Sequence, residues 1–172
     1  MTSPLRTMKM LALCAAFVLV CAGAQARNKD FNQLAKIKDV ECVHINKMLL
    51  KLASMSGEGL HIGENINIDG TGKGKEAIDQ IDDLRVYTTG NQKSIDQMKT
   101  VVLDILKGKD WEPLIDVKEE DGQVAKIYQA RKGKKVTNVI FALEEDEATV
   151  VILSGKLDIG KLMEQQAGEE EN

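Results

Sequence analysis

The C-terminal part of the chain alternates between apolar runs and short polar connections, a pattern that predicts β-strands. Four strand-like runs occupy residues 111–119, 123–132, 136–143 and 149–157. They are separated by turn residues at Asp121-Gly122, at Gly133-Lys134 and along the acidic run 144–147. Because such short connections join neighbouring antiparallel strands, the pattern predicts a meander of four strands.

Shorter strands are predicted in the N-terminal half. Residues 39–45 alternate so that Val43 and Ile45 fall on one face and Cys42 and His44 on the other. A glycine-rich loop is predicted over residues 54–74, with a short strand at residues 66–68, and a further strand is predicted at residues 83–88.

Apolar residues at helical spacing are clearest over residues 91–107, where Gly108 follows as a stop signal. The apolar positions there are Ile95, Met98, Val101, Val102, Ile105 and Leu106. A second helix is predicted over residues 47–53 after the N-cap Asn46, with an apolar stripe of Met48, Leu49 and Leu52. Asp158 is the predicted N-cap of a closing helix.

Together these elements predict an α+β fold, a mostly antiparallel sheet with a four-strand C-terminal meander and helices packed on one face. The chain has 172 residues, of which 43% are hydrophobic and 29% charged, which is the composition of one globular domain. We expect this domain to span residues 27–167. Residues 168–172, with three consecutive glutamates, are expected to form an acidic disordered tail.

The first 26 residues have the pattern of a secretory signal peptide. Arg6 and Lys9 precede an apolar run at residues 11–22, and Ala24 and Ala26 supply the small residues of a cleavage site. We therefore expect cleavage after Ala26 and a periplasmic or secreted protein. The apolar run is too short to remain as a membrane span, so we expect no transmembrane segment after cleavage.

The net charge of the chain bears on which classes of partner it can bind. The chain has 23 basic and 27 acidic residues, and loss of Arg6 and Lys9 leaves 21 against 27, a net charge of -6. An acidic protein offers no positive field for phosphates, so no nucleic-acid partner is expected.

Reactive side chains are scarce after cleavage. Cys42 is then the single thiol, which excludes an intrachain disulfide, and His44 and His61 are the only histidines. Cys42 and His44 share one strand face and are the one candidate nucleophile pair, although packing is the commoner role for such residues. No spacing indicates a zinc site. The prediction is therefore a protein that is not an enzyme, with no catalytic residues and no cofactor.

One loop fits the outline of a calcium site. Asn65, Asn67 and Asp69 occupy positions one, three and five, Gly70 occupies position six, and Glu76 occupies position twelve. Only two of these residues are negative, and neighbouring lysines at 73 and 75 oppose a cation. The alternative interpretation is a short strand that enters an Asp-Gly turn.

Five segments in their order resemble a bacterial family known as domain of unknown function 4252 (DUF4252). These segments are residues 40–52, 81–87, 111–114, 124–128 and 150–159. The resemblance covers nearly all of the expected mature chain. It implies a small exported protein of Gram-negative bacteria, and it implies no catalytic residues.

Two functions are consistent with the sequence. The favoured hypothesis is a non-catalytic module that binds an envelope protein through a sheet edge or the polar loop, because such binding needs backbone groups and shape but no reactive side chain. The alternative is a small-ligand or calcium-binding protein that uses the loop from Asn65 to Glu76.

Overall fold

The computed structural model describes residues 31–57, 60–62, 66–68, 71–118 and 122–169. The predicted signal peptide and its cleavage site lie outside these residues. A 3-10 helix at Phe31–Lys36 comes first. The strands of the described residues are β1 (Glu41–Asn46), β2 (Leu60–Ile62), β3 (Ile66–Ile68), β4 (Ile81–Thr89), β5 (Glu112–Lys118), β6 (Val124–Lys132), β7 (Lys135–Leu143) and β8 (Ala148–Gly155). The α-helices are α1 (Lys47–Ser56), α2 (Gly72–Asp79), α3 (Gln92–Leu106) and α4 (Ile159–Glu169).

Six strands form one sheet in the order β1-β4-β8-β7-β6-β5, and every neighbouring pair is antiparallel. The four C-terminal strands are adjacent, so the predicted meander and the α+β class are confirmed. Helix α3 joins β4 to β5 and thereby crosses the sheet from near one edge to the other. Strands β2 and β3 form a separate hairpin.

Helices cover both faces of the sheet, where the sequence predicted one. Alternate residues of β8 enter different cores: Val150 and Ile152 pack with α3 and the 3-10 helix, and Val151 and Leu153 pack with α1 and α2. The physical reason is that β8 is apolar at consecutive positions. A strand with two apolar faces needs cover on both sides to keep them from water.

The predicted N-cap of α1 is confirmed, and α3 begins with an N-cap of the same kind. Asn46 accepts hydrogen bonds from the backbone N–H groups of Met48 and Leu49, and Asn91 accepts one from Ser94 N at the start of α3. Helix α1 ends at Ser56, and the capping residue Gly57 has a left-handed φ of 75°, which suits glycine.

The predicted apolar stripe of α1 is wrong in its direction. Met48, Leu49 and Leu52 are exposed, and the helix instead buries Leu50 and Ser54. Leu50 fills the second core, and Ser54 Oγ donates a hydrogen bond to Asp79 of α2, 2.9 Å away.

Two further boundaries differ from the predictions. Helix α2 lies partly within the stretch predicted as a glycine-rich loop, because burial of Ile78 in the second core outweighs the low helix propensity of Gly72 and Gly74. Helix α4 continues to Glu169, two residues into the predicted tail.

Candidate binding surface at the first strand

Strand β1 is one edge of the six-stranded sheet. It pairs with β4 from Glu41 opposite Thr88 to Asn46 opposite Asp83. Within the described residues, no strand pairs with its other side. An edge of this kind presents backbone N–H and C=O groups that another strand can use.

The opposite edge, β5, is better protected against pairing. It contains Pro113, which has no N–H to donate, and its register with β6 shifts between Pro113 and Ile115. It also carries charged residues at Glu112, Asp116 and Lys118. In β1 the single carboxylate is Glu41, at the first position. Strand β1 is therefore the edge more open to a partner.

Exposed apolar side chains are concentrated beside this edge. The described residues include seven large exposed hydrophobic side chains, and five of them lie on β1 or α1, with exposed fractions from 41% to 72%. We call these five the β1–α1 surface: Val43, Met48, Leu49, Leu52 and Met55. Helix α1 begins at the residue after β1 ends, so strand edge and helix adjoin without a loop. Such clustering marks an interaction site more often than scattered exposure does.

Contacts of α1 show how this surface is oriented. Lys47 Nζ lies 2.6 Å from Asp82 Oδ1 on β4, and Ser54 binds Asp79 on α2. The exposed Lys47 side chain is therefore directed along the surface toward β4, and Ser54 faces α2. Leu49 follows Lys47 by two residues, a rotation of about 200° around the helix, and so lies on the opposite side, toward the β1 edge.

A polar network anchors β1 from the other face of the sheet. His44 Nε2 lies 2.5 Å from Asp83 Oδ1, and Arg85 Nε donates to Asp83 Oδ2 at 3.1 Å. Arg85 Nη1 donates to Asn32 Oδ1 at 2.9 Å, which ties in the 3-10 helix. The Arg85 side chain is only 5% exposed, so Asp83 balances a buried charge.

This network includes His44, one member of the candidate nucleophile pair Cys42 and His44. The two residues share one face, as predicted, and Cys42 is half-buried against the first core. His44 binds the carboxylate of Asp83. No pattern in the sequence identified Asp83, Arg85 or Asn32 as part of this site, although the alternation of Asp83 and Arg85 along a predicted strand placed both on one face.

The four predicted calcium ligands are placed only in part. Asn67 lies on β3, where it pairs with His61 of β2, and Glu76 is an exposed residue of α2. Asn65 and Asp69 lie outside the described residues. In the part of the chain that the structure describes, no three His, Cys, Asp or Glu side chains are grouped to hold a metal ion.

A second polar cluster joins β6 to the start of α4, away from the β1–α1 surface. Gln129 Nε2 donates to Asn138 Oδ1 at 2.8 Å and to Asp158 Oδ1 at 3.2 Å. Asp158 also accepts two hydrogen bonds from Arg131. It accepts a third from Lys161 N and so caps α4, as predicted. Burial raises the pKa of Asp158, but hydrogen bonds from Arg131, Lys161 N and Gln129 outweigh it and hold that pKa below its ordinary value.

An open groove of about 500 Å³ lies where Ile37 meets α3. The helix lines it with Lys93, Asp96, Gln97, Thr100 and Val101. These side chains include no thiol or imidazole. Among the described residues, no helix has the length and apolar character needed to cross a bilayer.

Comparison with known proteins bears on the family. The model of a family described as Domain of unknown function (DUF4252) matches residues 31–165 of the chain, which confirms the resemblance seen in the sequence. No curated protein matches the chain, and no solved structure matches it.

Proposed function

Because the chain belongs to the DUF4252 family, a family of unknown function, we propose a function from its own geometry: a non-catalytic exported protein that binds a protein partner through the β1–α1 surface. Binding of this kind combines strand pairing at β1 with burial of the apolar side chains of α1. The export step is part of the proposal and rests on the pattern of residues 1–26.

The observation that carries the proposal is the position of the exposed apolar residues. Of the seven in the described residues, five lie on the edge strand that lacks proline and bulge or on the helix that directly follows it. Strand pairing supplies affinity through the backbone, and Val43 and Leu49 supply apolar contact on the same side. No reactive side chain is needed at such a surface.

A photocrosslinking experiment tests the binding site. A photoreactive amino acid is placed at Val43 or Met55 in the protein expressed in its own cells. The control positions are Val117 on β5 and Leu162 on α4, which are also exposed apolar residues but lie outside the β1–α1 surface. We expect a discrete crosslinked protein at Val43 and Met55 and none at the two controls. Equal crosslinking at all four positions would reject the surface.

The export step has a separate test. The protein is recovered from the periplasm or culture medium, and its N terminus is sequenced. We expect the mature chain to begin at Arg27. Recovery of the protein only from the cytoplasm with Met1 still present would reject export and leave the binding surface to be judged by crosslinking.

A further inference from the structure

We propose that the partner at the β1–α1 surface is a second copy of the chain, with the two β1 strands paired antiparallel about a twofold axis. This inference rests on the proposed function and names the partner of that same surface. It joins two six-stranded sheets into one continuous sheet of twelve strands.

Symmetry brings the right elements together. When two identical edge strands pair antiparallel about an axis perpendicular to the sheet, both copies keep the same face on the same side. Helix α1 packs over β1 and β4 through Leu50, so the α1 helices of both copies lie on one face beside the axis. Leu49, on the β1 side of its helix, is then directed toward the second copy.

Charge at the two ends of β1 favours this direction. Glu41 is the first residue of β1, and Lys47 immediately follows its last residue; both are exposed. Lys47 also pairs with Asp82 of its own chain, so in the dimer its ammonium group lies between two carboxylates, Asp82 and Glu41 of the second copy. A register centred on His44 places Glu41 of each copy beside Lys47 of the other. It also places Val43 opposite Ile45 of the second copy, an apolar pair on the α1 face. Parallel pairing would instead bring like charges together.

Closure favours the same arrangement. If β1 paired with β5 of another copy, each molecule would keep an open edge and the chains would form filaments. Pro113 and the shifted register of β5 oppose that contact. Pairing of β1 with β1 covers the more open edge of both copies and leaves the two protected β5 edges outside.

The test measures the mass of the exported protein by light scattering across a range of concentrations. We expect twice the monomer mass for the wild type. Glu41→Lys and Lys47→Glu each bring like charges together and are expected to raise the dimer dissociation constant about tenfold or more. The double variant Glu41→Lys with Lys47→Glu is made together with Asp82→Ala, because Asp82 is the partner of Lys47 within the chain. It restores opposite charges across the interface and is expected to regain most of the dimer.

Control variants separate association from folding. Val43→Lys is expected to give a monomer, whereas Val117→Lys on β5 is expected to stay dimeric, with melting temperatures measured for both. A dimer that persists unchanged in Val43→Lys and in Glu41→Lys would overturn the inference. So would failure of the double charge exchange to restore association in a folded protein.

Other occupants of the surface give different results. A wild-type monomer that crosslinks at Val43 to a different protein overturns the inference and supports the proposed function. A monomer with no crosslinked protein overturns both. A monomer that sediments with phosphatidylglycerol vesicles, and loses this when Leu52→Glu is introduced, overturns both and assigns the apolar side chains to a bilayer.

Discussion

His44 on β1 and Asp83 on β4 are bound to each other diagonally across the strand pair, with 2.5 Å between Nε2 and Oδ1. The residue directly opposite His44 is Arg85, and that side chain also binds Asp83. The Asp83 carboxylate therefore binds both the imidazole of His44 on the edge strand and the buried guanidinium of Arg85 on β4. This arrangement fixes β1 to the sheet through side chains as well as through the backbone.

Replacement of Asp83 by Asn should be costly for this reason. The buried Arg85 would lose its balancing carboxylate while Asn32 continued to accept one hydrogen bond. We expect Asp83→Asn to lower the free energy of unfolding by about 2–4 kcal/mol, measured by urea denaturation. Asp116→Asn, which breaks the more exposed pair with Lys126, is the matched control and is expected to cost less than about 1 kcal/mol.

The direction of α1 predicts a sharp contrast between two leucines. Leu50 is buried in the second core, and Leu52, two residues later, is exposed. We expect Leu50→Ala to lower the free energy of unfolding by about 2–5 kcal/mol because it leaves a cavity. Leu52→Ala is expected to change it by about 0.5 kcal/mol or less in the monomer. Similar losses for both variants would contradict the orientation described above.

The same two leucines explain what the sequence alone could not determine about α1. The helix carries apolar residues around most of its circumference, so periodicity does not identify its buried side. The choice depends on Ile78 and Asp79, which lie far along the chain and receive Leu50 and Ser54. By contrast, the cap at Asn46 depends on local backbone geometry and was predicted correctly.

Other features also differ in whether they depend on local sequence or on contacts between distant residues. The meander follows from turn residues and apolar runs that are local in sequence, such as Gly133-Lys134 between β6 and β7. The network of His44, Asp83 and Asn32 is not local: the first two residues are 39 positions apart. Strand order decides which of many carboxylates meets which imidazole, and no pattern along one sequence specifies that pairing.

A single methyl group added at Gly155 is expected to destabilise the fold severely. A Cβ built at Gly155 would lie 2.2 Å from the carbonyl oxygen of Gln80 and 2.8 Å from the backbone nitrogen of Asp82. These are backbone atoms at the register shift between β4 and β8, so they cannot swing aside. We expect Gly155→Ala to cost about 3 kcal/mol or more, measured by thermal and urea unfolding.

Gly90→Ala is the control for that experiment. The nearest atom to an added Cβ at Gly90 is the carbonyl oxygen of Asp146 at 3.5 Å, an ordinary contact. We expect this variant to unfold within about 1 kcal/mol of the wild type. If Gly155→Ala were equally mild, the close approach of β8 to the residues between α2 and β4 would be wrong.

Asp158 gives a prediction for the pH dependence of stability. Its folded-state pKa lies below the ordinary value of 3.8, because the hydrogen bonds from Arg131, Lys161 N and Gln129 outweigh the effect of burial. A carboxyl with a lowered pKa contributes stability above the unfolded-state pKa and loses it as the pH falls through the folded-state pKa. We therefore expect the wild type to lose more stability than Asp158→Asn between pH 5 and acid conditions near pH 2, measured as free energies of unfolding in urea. At pH 7 the variant should be the less stable of the two, and the two curves should converge on acidification. If the stabilities of the wild type and Asp158→Asn instead changed in parallel with pH, Asp158 would titrate alike in the folded and unfolded states. Its hydrogen bonds between β6 and α4 would then make no pH-dependent contribution to stability.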